Sequence, residues 1–121
     1  MEVITASEYQ ECRAFWQMCQ YHPILKDYLI HIPNQGERSI AYYNALKSIG
    51  FRSGAPDYLL PVHAHRYHSL WLEMKKKGVK RHSQLQDMWL SKLNAIGNLA
   101  LYVYGADEAY QTCIDYLDNK L

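Results

Sequence analysis

The sequence predicts an α/β domain, a central mixed sheet of about four strands flanked by helices. Segments with apolar residues at helical spacing alternate along the chain with short runs rich in leucine, aromatic and β-branched residues. Turn residues punctuate the segments, and their order reads helix, strand, helix, strand, strand, helix, strand, helix. The 121 residues, 49% hydrophobic and 21% charged, suit one domain over 1–121 with one core.

Residues 7–20 read as a helix with Ser7 as N-cap and Cys12, Phe15, Trp16 and Cys19 as its apolar stripe. Tyr21-His22-Pro23 stops it, and residues 28–32 are a β-rich strand ending at Pro33. Asn34-Gln35-Gly36 is a turn. A second helix covers residues 38–49 and stops at Gly50. After a loop over 52–56 comes a short strand over 58–60, closed by Pro61, and then a turn over 63–68. Residues 69–74 form a strand with a nearly continuous apolar centre, as in the middle of a sheet. Residues 78–82 turn again. Ser83 caps a helix to about Ile96, with Leu85, Trp89, Leu93 and Ile96 expected inward. Gly97 ends it. Residues 99–104 read as a fully buried strand, and 107–117 as a last helix with Ala109, Cys113, Ile114 and Leu117 inward.

Composition excludes several classes. There is no apolar stretch long enough to span a bilayer, and the N-terminus lacks the apolar core of a signal peptide. Three cysteines without a CxxC pair fit small core residues in a reducing cytoplasm. The histidines and cysteines lack zinc-site spacing, and there is no phosphate-cradling glycine loop or GxSxG elbow. A net charge of +1 does not by itself announce nucleic acid, but Lys75, Lys76, Lys77, Lys80, Arg81 and His82 form one basic stretch. Lys80 and Arg81 are candidate phosphate contacts; the plainer reading is a solvated turn. Eleven tyrosines and three tryptophans exceed what one small core can hold, so some must be exposed or lie at an interface.

The chemistry concentrates in Gly54-Ala55-Pro56-Asp57 and Glu73-Met74-Lys75. Asp57 opens one apolar run, and Glu73 and Lys75 close another. Residues two apart on a strand share a face, so adjacent strands would let all three meet. Two carboxylates beside a lysine suit a hard divalent cation, Mg²⁺ or Mn²⁺, with the Met74 backbone carbonyl as a further oxygen. Lys75 would then orient or deprotonate water, or offset charge in the transition state. That is equipment for phosphodiester hydrolysis. The plainer readings are a turn residue for Asp57 and a Glu73–Lys75 ion pair. Glu8 and Gln10 read alone as surface residues.

Over nearly its whole length the chain resembles the VRR-NUC (virus-type replication-repair nuclease) domains of the PD-(D/E)XK superfamily. The residues that carry the resemblance are Glu8 and Gln10 before Trp16, Ile32-Pro33-Asn34-Gln35-Gly36-Glu37-Arg38, Gly50 to Pro61, Leu72-Glu73-Met74-Lys75, Ser83 with Gln86, Gly97, and Val103 to Ala109. The resemblance implies a PD-(D/E)XK restriction-endonuclease-like fold and a metal-dependent nuclease. Asp57, Glu73 and Lys75 match the catalytic core, Glu8 the first-helix metal ligand, Gln86 a supporting glutamine, and Asn34 and Arg38 a polar segment near DNA. The small stand-alone members it looks most like occur in phages and prophages, which implies the cytoplasm of a bacterial host. They are homodimers similar to Holliday-junction resolvases that cut branched DNA. Departures are Gln35 for a common glycine and Ala55 for a common valine.

Four other readings compete: a non-catalytic DNA-binding module on the same fold, a nuclease for flaps or other DNA structures, an interaction domain with a simple ion pair, and a sequence-specific restriction-type enzyme. The intact Asp57, Glu73 and Lys75 argue against the first. The short chain leaves little room for the base-reading part the last requires.

Overall fold

The computed structural model describes residues 7–33 and 39–121. Asn34, Gln35 and Arg38, singled out from the sequence, lie outside the described residues. The elements are α1 (Glu8–Cys19), α2 (Pro23–Tyr28), β1 (Ile30–His31), α3 (Ile40–Ser48), β2 (Tyr58–Leu60), β3 (Leu70–Lys75), α4 (Gln84–Ala95), β4 (Leu99–Tyr104) and α5 (Ala106–Leu117). The strands form one mixed sheet in the order β1-β2-β3-β4, antiparallel except for the parallel pair β3–β4. Parallel neighbours need a crossover, and α4 supplies it.

The two sheet faces separate two sets of side chains. Leu70, Leu72 and Met74 of β3 point into the main core with Phe15 and Cys19 of α1 and Ala109, Cys113 and Tyr116 of α5. Trp71 points the other way, into a smaller cluster with Leu90, Leu93 and Ala100 under α4. Glu73 and Lys75 alternate in register with Trp71, so they belong to the α4 side. Burial pushes the thiols of Cys12 and Cys19 up to about 11 and about 12, as expected of inert core cysteines.

Five expectations are corrected. Pro23 starts a helix rather than only stopping one: His22 accepts from the amides of Ile24 and Leu25, and proline suits a first helical turn. The strand expected over 28–32 shrinks to Ile30–His31. The inward face of α1 is Phe15, Cys19 and Glu11, whereas Trp16 is 36% exposed. Glu11 is tolerated there because its Oε1 accepts from the Ala106 amide at 3.2 Å, where Gly105 has no side chain to cap α5. In α4, Leu90 and Leu93 are buried while Leu85 and Ile96 are exposed. The cause is β4, an edge strand rather than a fully buried one. Asn94 donates to the Ala100 carbonyl at 2.9 Å and accepts from its amide at 2.8 Å, covering that edge and turning the helix with it.

Gly54 precedes the Pro-Asp step at φ +83, and a Cβ there would lie 2.6 Å from Leu85 Cγ. Gly78 has a similar φ of +88 and open space around it. Gly78→Ala should therefore cost only backbone strain, about 1 kcal/mol, and Gly54→Ala about 2–4 kcal/mol, because overpacking adds to strain. Urea unfolding checks the difference; equal costs would show that Leu85 yields freely.

Candidate metal and catalytic site

The site forms where β2 and β3 part. Tyr58 pairs with Leu72, and the ladder between the two strands ends there. Pro56, the next residue able to pair, has no amide hydrogen. The Met74 amide instead donates to Asp57 Oδ2 at 2.7 Å, inside the protein. The hydrogen bond replaces a rung of the ladder with a carboxylate and fixes Asp57 beside the end of β3. The Met74 carbonyl leaves the strand on the same side as its amide, toward this gap. From the other direction, the Ile32 amide and the His31 ring hold the Asp57 carbonyl at 2.7 and 3.1 Å.

Asp57, Glu73 and Glu8 each bring a carboxylate oxygen within 4.8 Å of the others. Asp57 and Glu73 are buried and Glu8 is half-buried. Ser7 and Gln10 form a capping box at the start of α1, which sets the helix entry next to Glu8. Glu73 Oε2 is buried without a hydrogen-bond partner. Burial, and then the neighbouring Asp57 charge, push the Glu73 carboxyl up to about 9. Burial also raises the Glu8 carboxyl, opposed by Lys75. A buried acceptor with no partner is costly, and three acids this close repel when ionised. The arrangement is short of one positive group.

Lys75 does not fill that role by contact. Its Nζ donates to Gln86 Oε1 at 2.8 Å and lies 5.8 Å from the centre of the Tyr102 ring. Among the described residues Glu73 and Lys75 form no ion pair, so the simple ion-pair reading fails on geometry. The donor set, all hard oxygens with one unpartnered, fits a divalent cation such as Mg²⁺ or Mn²⁺.

The structure thus brings together Glu8, Asp57, Glu73, Met74, Lys75 and Gln86. Lys80 and Arg81 are exposed in the loop before α4 and are not among the clustered residues. The sequence reading missed the wall beside Lys75. Tyr102 pairs with Glu73 and Tyr104 with Lys75 across β3–β4. The His82 ring stacks on Tyr102 at 3.7 Å and meets the Tyr104 hydroxyl at 2.7 Å, and Tyr102 donates to Asp87. The signal was present as alternation, since Ala100, Tyr102 and Tyr104 share one face, but an apolar run read as fully buried conceals it.

A mixed sheet with paired acids and a lysine at the divergence of two strands is a PD-(D/E)XK-type α/β fold. No protein-family model matches the chain, and no curated protein sequence does. A solved structure described as "VRR_NUC domain protein" superposes with a TM-score of 0.83 over 96% of this chain and 92% of that one, at 21% identity. The chain therefore has the VRR-NUC fold. Among the described residues no helix is long and apolar enough to cross a membrane.

A carboxyl whose folded-state pKa is raised contributes stability below its ordinary value of 4.5 and loses it as pH rises through about 9. In EDTA, Glu73→Gln should gain on the wild type by up to about 1 kcal/mol per pH unit across that window. Unfolding curves of both proteins at several pH values check this; a constant difference would mean that Glu73 is already ionised at acidic pH.

Proposed function

We propose that residues 1–121 form a VRR-NUC-type domain that hydrolyses phosphodiester bonds in DNA, as a metal-dependent, structure-selective endonuclease resembling Holliday-junction resolvases. The observation that carries this reading is the gathering of Glu8, Asp57 and Glu73 around an unpartnered buried oxygen, with an ammonium held close by. In this proposal Glu8, Asp57, Glu73 and the Met74 carbonyl hold Mg²⁺ or Mn²⁺. When bound, such an ion supplies Lewis-acid polarisation of a phosphate oxygen and makes water a stronger nucleophile at neutral pH.

The chain's own residues do the rest. The Met74 amide orients the Asp57 carboxylate. Gln86 fixes the Lys75 ammonium, so that Lys75 directs the attacking water or offsets charge as it develops on the phosphate. Lys80 and Arg81, together with Asn34 and Arg38, contact the backbone, reading phosphate position and branch shape rather than sequence. Two symmetric cuts in a four-way junction call for a C2 dimer. Exposed Tyr21, Tyr28, Ile40 and Ile49 offer apolar surface for one.

Wild type should nick a labelled four-way junction in Mg²⁺ or Mn²⁺ and not in EDTA. Glu73→Gln and Lys75→Ala should each lower the cleavage rate by at least about 100-fold with the fold intact by circular dichroism. Activity retained in either variant would remove that residue from the site; a junction left whole beside a cut flap would shift the substrate, not the chemistry. If Lys80 and Arg81 both touch phosphate, replacing them by alanine should reduce the log–log salt slope of binding by about 2. An unchanged slope makes that loop merely solvated.

A further inference from the structure

The outward stripe of α1 has no part in the core. Tyr9, Arg13 and Trp16 stand at i, i+4 and i+7, the spacing of one helix face. The buried residues Glu11, Phe15 and Cys19 occupy another face of the same helix. Tyr9 is 73% exposed and Trp16 36% exposed. Two large aromatic rings with a guanidinium between them are an expensive way to face water.

The stripe lines an open groove of about 770 Å³, and two of the three clustered carboxylates, Glu8 and Asp57, line the same groove. The groove is therefore continuous with the acidic site. A DNA strand with one phosphate at the carboxylates has its neighbouring nucleotide in this space. The lining there includes the rings of Tyr9, Trp16 and His31, with Arg13 as the cation. Such a surface suits bases better than phosphates. Stacking accepts any base because each has a π-face, and arginine adds a cation–π contribution. A base inside an intact duplex has both faces covered, so only an unpaired or splayed nucleotide can use the groove.

We propose that Tyr9, Arg13 and Trp16 form a stacking platform for unpaired nucleotides next to the phosphate that is cut. The proposal rests on the nuclease reading above and deepens it by naming the substrate class: DNA in which bases beside the cut are unpaired. A second copy of this chain is the rival occupant of the groove, and the test separates the two.

The experiment measures binding of a flap DNA, carrying 2-aminopurine in its unpaired arm, and of a blunt duplex of equal length. The Glu73→Gln protein serves as background, since it should bind without cutting. Adding Trp16→Ala or Trp16→Leu should weaken flap binding by about tenfold or more and restore 2-aminopurine fluorescence, while duplex affinity stays within about twofold. Adding Trp16→Phe should keep most of the flap affinity, because the ring remains. Leucine tests packing, since it keeps apolar bulk without a π-face, and unchanged melting temperatures exclude misfolding. Equal losses on both DNAs, or leucine performing as well as phenylalanine, would overturn the platform. Unchanged flap affinity with an altered mass by light scattering would assign the groove to contact between copies. If wild type cuts no DNA yet flap binding still depends on the Trp16 ring, the nuclease reading fails and the platform stands.

Discussion

The hydrogen bond from the Met74 amide to Asp57 organises the site. It lies at the Tyr58–Leu72 end of the ladder, where β2 can no longer pair with β3. A strand end in the interior leaves backbone groups that must be satisfied. The protein satisfies this amide with a charged side chain instead of a carbonyl. That choice brings a carboxylate into the interior and holds it against Glu73, which its position on β3 places at the same spot. Glu8 arrives from a different layer, on a helix whose start is fixed by its own capping box. Three independent backbone constraints thus converge on one small volume.

The convergence has an energetic signature. Burial and mutual repulsion favour the neutral form of Glu73, and one of its oxygens has no partner. Lys75 is close enough to lower the Glu73 pKa but is bonded to Gln86. The lysine is thereby kept as a separately positioned cation, and the acids keep their need for another. A site built only for stability would have closed the Glu73–Lys75 pair, because pairing buried charges is the cheaper solution. The open arrangement matches a site that exchanges charge with something entering it.

Much of this was legible in the chain. The Pro-Asp step before Tyr58-Leu59-Leu60 and the Glu-x-Lys ending of Leu70-Trp71-Leu72 placed the acids and lysine on adjacent strands, and the strands do pair. The helix caps at Ser7 and Ser83 were read from residue type alone. What escaped was set by partners distant in sequence. Glu11 was not singled out at all, because its role is to satisfy an amide of α5. Leu85 and Ile96 looked inward because periodicity fixes a stripe but not which way it turns, and here Asn94 turns it. The wall of His82, Tyr102 and Tyr104 beside Lys75 depends on β4 being an edge strand, and a short apolar run does not reveal that.

The Glu11–Ala106 hydrogen bond has a consequence for how the protein is born. It joins residues 95 apart and ties the helix that carries Glu8 to the last helix of the described chain. Phe15 and Cys19 likewise find their partners on α5. During synthesis Glu8, Asp57, Glu73 and Lys75 are all made before residues 106–117 exist. Until then α1 has no docking surface on α5, and the third carboxylate is not locked beside the other two. The three-carboxylate cluster is therefore complete only once the last helix has docked on α1.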